Sequence, residues 1–167
     1  MRKSTDLKIY AYGLLAKREH SVAELAQKLR IALRDWGGEL ESPEESAESK
    51  EEIIQDVVDN CLAQGYLSDQ RFAEIFFRAR MRKGYGPQRI RQELKFKQVD
   101  EELIEQVYRE TEVDWCDLAR QVVMKKYSGA DLADIRTKAK AYRFLMQKGF
   151  FREDVEEVMR SLNQELD

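Results

Sequence analysis

The chain has 167 residues, with 29 Lys and Arg against 32 Asp and Glu, a formal charge of -3, and 43% hydrophobic beside 37% charged residues. That length fits one ordinary domain or a few small repeated units, and the charge fraction, with only two prolines, points to helices with solvated outer faces around several thin cores. No apolar run approaches the roughly 18 residues needed to span a membrane and the first residues carry no secretory pattern, so the expectation is a soluble, cytoplasmic protein with Cys61 and Cys116 as reduced, buried small hydrophobes.

In chain order, His20-Ser21-Val22-Ala23-Glu24 has the spacing of a capping box, in which Ser21 and Glu24 satisfy each other's free backbone N–H. The stretch Glu39 to Glu52 holds seven acids and one lysine, with Pro43 and several serines, and is expected as a mobile acidic insertion loop over 35–50. Ile53, Ile54, Val57, Val58, Cys61 and Leu62 then recur with the period of a helix buried on one face. Gly65 ends that helix, and Asp69 is the expected N-cap of the next, whose apolar residues are Phe72, Ile75, Phe76 and Ala79. Gly86-Pro87 opens a helix with Ile90 and Leu94 inward, because proline at the first helical position gives up no hydrogen bond. Leu103, Ile104, Val107 and Tyr108 form another stripe. Asp114 is an N-cap before Trp115, Gly149 ends a helix, and Val155, Val158, Met159 and Leu162 form the last stripe.

These helices repeat. A shift of 65 residues puts Ser21 on Gly86, Leu25 on Ile90 and Leu29 on Leu94, and a shift of 51 puts Leu94 on Leu145 and Ile104 on Val155. The expected fold is all-α, three tandem three-helix repeats in an elongated, curved array, divided as 1–64, 65–111 and 112–167.

Little in the sequence offers catalysis. His20 is the single histidine and reads as a turn residue, the two cysteines are 55 residues apart, and Gly84-Tyr85-Gly86-Pro87 lacks the Gly-Lys-Ser/Thr ending of a phosphate loop. No enzyme activity, metal or cofactor is expected.

Charge is more informative. From Arg71 to Lys97 there are nine Lys/Arg and two acids, Glu74 and Glu93, inside an acidic chain. Arg78, Arg80, Arg82, Lys83, Arg89, Arg91, Lys95 and Lys97, with Tyr85 among them, form a candidate face for a polyanion, in which cations neutralise phosphates and a ring can stack on a base. Arg89, Arg91 and Lys95 are expected to point outward, so that reversing Arg89 and Arg91 would remove function and leave the fold. The bland alternative is that Tyr85 packs on its turn and the arginines pair with acids such as Glu101 and Glu105. A second basic patch holds Arg136, Lys138, Lys140, Arg143, Lys148 and Arg152, with no acid between Asp134 and Glu153.

Gly65-Tyr66-Leu67-Ser68-Asp69-Gln70-Arg71-Phe72-Ala73, the run Lys83-Gly84-Tyr85-Gly86-Pro87-Gln88-Arg89-Ile90-Arg91-Gln92-Glu93-Leu94, Asp114-Trp115-Cys116, Arg143-Phe144-Leu145 and Lys148-Gly149-Phe150 resemble the RecX regulatory protein family over nearly the whole chain. The resemblance implies a non-enzymatic modulator that binds the groove of the RecA–DNA filament and inhibits recombinase and co-protease activity, with consequences for DNA repair, homologous recombination and the SOS response; a monomer is expected. It also implies weak affinity for single- and double-stranded DNA through the basic face. The competing reading is a helix-turn-helix-like transcriptional regulator, with Pro87–Lys97 as recognition helix and Arg89 and Gln92 reading base edges.

Overall fold

The computed structural model describes residues 2–36 and 43–164, and the side chains of 4–36 and 50–162. Among these residues there are helices and no strands: α1 (Arg2–Leu15), α2 (Val22–Trp36), α3 (Pro43–Ala63), α4 (Asp69–Arg82), α5 (Pro87–Phe96), α6 (Glu101–Thr111), α7 (Trp115–Lys126), α8 (Ile135–Lys148) and α9 (Arg152–Gln164). None is long and apolar enough to cross a membrane.

The chain packs as two compact units. One comprises Met1–Ile75 with Lys97–Leu103, the other Phe76–Phe96 with Ile104–Asp167. In the first, α1, α2 and α3 pack pairwise over Leu7, Ala11, Leu25, Leu29, Leu33, Ile54, Val57, Val58, Cys61 and Leu67. In the second, α7, α8 and α9 pack pairwise over Ala119, Val123, Ala141, Leu145, Phe150, Val155, Val158 and Met159. The helical residues among these fall on one stripe of each helix, while Leu67 and Phe150 enter from turns. Both cysteines are free thiols, Cys61 buried and Cys116 half-buried, and burial pushes both above the ordinary thiol range.

Several local expectations are corrected. The acidic stretch 35–50 is helical wherever it is described: Asp35 and Trp36 end α2, and α3 already runs from Pro43. Residues 37–42 lie outside the described residues. Proline suits a first turn, carboxylates favour a helix N-terminus, and glutamate and alanine propagate helix well, so an acidic composition is compatible with helix here. In the Ser21 motif only half of the capping box forms. The Glu24 N–H donates to Ser21 Oγ at 3.1 Å, while the Glu24 carboxylate turns to Arg18 and Lys97. Asp69 does not cap its own helix. The Arg71 N–H donates to Ser68 Oγ, and Asp69 Oδ1 accepts from the Val22 N–H at 2.8 Å, closing the start of α2.

In α4 the buried residues are Phe72, Ala73 and Phe77, while Ile75 is exposed. The apolar stripe is therefore rotated from the expected one, with Phe77 as its anchor. Phe77 meets Tyr108 edge-on at 4.9 Å between centroids and Trp115 at 5.8 Å, the geometry that ring quadrupoles prefer. Tyr108 in turn donates its hydroxyl to the Pro87 carbonyl at 2.5 Å, and burial pushes its phenol well above the ordinary range.

Candidate interaction face

Two turns meet within the second unit and create the site. The α4–α5 turn contains Gly84, at φ 75°, and Gly86; the α8–α9 turn contains Gly149, at φ 90°, which caps α8. The Gly86 N–H donates to the Lys148 carbonyl at 2.7 Å and the Gln88 N–H to the Gly149 carbonyl at 3.0 Å. The carbonyl end of α8 thereby satisfies N–H groups at the start of α5, partial negative against partial positive. The approach is close enough to require glycine: a β-carbon on Gly86 would lie 2.3 Å from the Phe150 nitrogen, and one on Gly149 would lie 2.5 Å from Arg89 Cβ.

Side chains carried by these turns converge on Tyr85. Arg89 Cζ lies 4.3 Å from its ring centroid, Lys148 Nζ 4.4 Å and Arg80 Cζ 5.6 Å. Cations at such distances are held by the negative face of the ring. Arg80 also sits 4.8 Å from the Phe76 centroid. Glu93 is the counter-ion, with Arg80 Nε 2.6 Å from one carboxylate oxygen and Arg89 Nε 3.0 Å from the other. The Arg89 contact is a hydrogen bond, whereas Arg80 Nε and Glu93 Oε2 are buried without a well-directed hydrogen-bond partner. The Arg80–Glu93 contact is thus electrostatic proximity more than a directed bond.

This geometry sorts the sequence-predicted residues. Arg78, Arg82 and Lys83 are exposed and make no ion pair among the described residues, and Lys95 is exposed as well. Arg80 and Arg89 are half-buried and share Glu93. Arg91 is half-buried, paired with Glu105 and stacked 4.8 Å from the Tyr108 centroid. The expectation that Arg89 and Arg91 point freely outward is therefore corrected, because each has an acid within reach on α5 or α6 and an aromatic ring to cover. Tyr85 does not offer an open ring for a base, since three cations crowd it. Lys97 falls in the first unit, where its ammonium lies 3.3 Å from Glu24 and its carbonyl accepts from Ser21 Oγ. It is a packing residue of that unit.

On α8, Arg136, Lys140 and Arg143 are exposed and Lys138 is half-buried. Lys148, expected in the second basic patch, reaches Tyr85 of the first face instead. Its neighbour Gly149 gave the available signal, a glycine-ended basic turn matching that of Lys83-Gly84. The role of Glu93 could have been read from its position four residues after Arg89 on one helix. Among the described residues, no group of three or more His, Cys, Asp or Glu is placed to hold a metal.

These features define an all-α protein of three-helix repeats whose interlocked turns present a cationic surface. Residues 68–107 match the family profile described as the second three-helix domain of RecX, and residues 112–159 the profile of its third. The regulatory protein RecX of Serratia proteamaculans is 39% identical over 95% of this chain and 99% of its own length. That of Yersinia enterocolitica is 37% identical over 92% and 95% respectively, and that of Escherichia coli strain SE11 40% over 90% and 88%. The crystal structure of RecX from Lactobacillus salivarius has the same fold, with a TM-score of 0.71 over 98% of both chains at 16% identity. The chain belongs to the RecX family.

Proposed function

We infer that this protein is a non-enzymatic regulator that binds in the groove of the RecA–DNA filament and restrains strand exchange, filament growth and co-protease activity, thereby modulating DNA repair and the SOS response. Family membership supports the regulatory role, its relatives being named regulatory protein RecX. The observation that carries the finer reading is the division of labour on α4, α5 and their turn. Arg80, Arg89 and Lys148 are engaged around Tyr85 and build the surface, while Arg78, Arg82 and Lys83 remain exposed to meet acidic protein or phosphate. Several modest contacts along a filament suffice, because the first raises the effective concentration of the rest.

The helix-turn-helix alternative loses one of its two reading residues, Arg89, while Gln92 stays exposed. Arg89 is held by Glu93 and Tyr85, and Arg91 by Glu105 and Tyr108, so a recognition helix at α5 would have to break these pairs to reach base edges. The test is RecA-mediated strand exchange with increasing protein. Dose-dependent inhibition below one protein per RecA subunit is expected, and unchanged exchange at equimolar protein would contradict the reading.

A further inference from the structure

A second face of the α7–α9 unit borders its core and opens to solvent. On α8, Ile135, Lys138, Ala139, Tyr142 and Arg143 follow one another along the helix and, with Met159 of α9, line an open groove of about 590 Å³. That size lies within the range of about 300–1,000 Å³ typical of ligand sites. The core of the unit takes α8 through Ala141 and Leu145, both fully buried, and Ile135 is left 83% exposed. Ile135 thus projects at the mouth of the groove, with Ala139 beside it and the nearly buried Met159 as an apolar floor. Its rim is cationic: Lys138 and Arg143 make no ion pair among the described residues, and the sequence from Ile135 to Arg152 contains no acid. Of the next cations in the chain, Lys148 reaches Tyr85 and Arg152 is paired with Glu156.

We propose that the α8–α9 groove is a docking site for an acidic peptide segment of a partner protein, one bulky apolar side chain of which packs on Ile135 and Met159 while its carboxylates meet Lys138 and Arg143. Charge complementarity selects an acidic partner. The apolar floor selects a peptide over a nucleic acid, since a phosphate backbone would use the cations and leave Ile135 and Ala139 unmatched. The site is separate in its residues from the α4–α5 face, and its occupant does not depend on the filament reading.

The experiment titrates the full chain into a fluorescein-labelled short peptide of glutamates around one central leucine, followed by anisotropy. Saturable binding is expected, weakened about tenfold or more by Ile135→Ser and by Lys138→Glu with Arg143→Glu. Replacing the leucine with serine, or the glutamates with glutamine, should weaken it comparably. Arg82→Glu with Lys83→Glu should leave it unchanged, which distinguishes this site from the α4–α5 face. Circular dichroism melting of Ile135→Ser, a change at an exposed position, controls for folding. No saturable binding at millimolar protein, or binding indifferent to Ile135→Ser, would overturn the proposal. So would a thymidine oligonucleotide that binds with loss on charge reversal but not on Ile135→Ser, which marks a nucleic-acid face. Concentration-dependent self-association abolished by Ile135→Ser would mark an interface between copies and overturn it likewise.

Discussion

The backbone N–H of Gly86 donates to the carbonyl of Lys148 across 2.7 Å, and with the Gln88–Gly149 bond it joins the turn that ends α4 to the turn that ends α8. It brings Lys148 against Tyr85 and draws Phe150 close to Gly86. Packing and surface charge thus share one cause: the close approach of two glycine-containing turns.

Gly86→Ala should therefore be severe. Its β-carbon would meet backbone atoms at 2.3–2.5 Å, which cannot move aside as a flexible side chain can. A loss of about 3 kcal/mol, the upper part of the usual overpacking range, is expected from urea unfolding. Gly129→Ala is the control. At φ 77° but with nothing within 4 Å of its β-carbon, it should lose only the roughly 1–2 kcal/mol of left-handed backbone strain.

Phe77→Ala should lose about 3–5 kcal/mol, because the side chain is fully buried and meets both Tyr108 and Trp115 edge-on. Phe96→Ala, at a residue 85% exposed, should leave the thermal midpoint almost unchanged. Equal losses for the two would contradict the placement of the α4 stripe.

The pH dependence of stability should show opposing contributions within the first unit. The hydrogen bond from Arg18, aided by Lys97, holds the Glu24 carboxyl at about 2. A folded value below the unfolded one means stabilisation present above the unfolded range of about 4.5 and lost as pH falls toward 2. Burial lowers His20, so the unfolded chain takes up its proton first and stability starts to fall near pH 6.5 on acidification. Burial raises Asp69, which acts in the opposite sense, its contribution favouring the fold at low pH and fading as pH rises through its folded value. Urea midpoints measured across this range should show the low-pH loss diminished in Glu24→Gln.

Glu93→Gln should release Arg80 and Arg89 from their shared counter-ion. The expected result is a small stability loss, on the order of 1 kcal/mol for half-buried pairs whose arginines keep their contacts with Tyr85, together with stronger binding of single-stranded oligonucleotide and a steeper salt dependence. A weaker salt dependence would mean that the pairs are required to form the face.

The order of the helices was legible because Ile54, Val57, Val58 and Cys61, like Val155, Val158, Met159 and Leu162, announce one buried stripe each. Gly65, Pro87, Asp114 and Gly149 marked boundaries by local backbone chemistry that distant contacts did not override. Asp69 misled because capping by Ser68 and by Asp69 is locally equivalent, and the choice is made by the Val22 N–H, 47 residues away in sequence. The site was legible as charge but not as geometry. Counting cations could not show that Glu93 binds two of them, that Tyr85 is covered, or that Lys97 belongs with Glu24. For the same reason, reversing Arg89 and Arg91 is a poor functional probe, since it would strip Tyr85, Tyr108, Glu93 and Glu105 of partners and disturb the fold.

Arg82→Glu with Lys83→Glu avoids that difficulty, both residues being exposed and without an ion pair among the described residues. The most direct measurement compares this variant with the unaltered chain for inhibition of ATP turnover by RecA on single-stranded DNA. The unaltered chain should inhibit, and the variant, with an unchanged melting curve, should need at least about tenfold more protein for the same effect. Equal inhibition by a normally folded variant would contradict the assignment of this face to the filament.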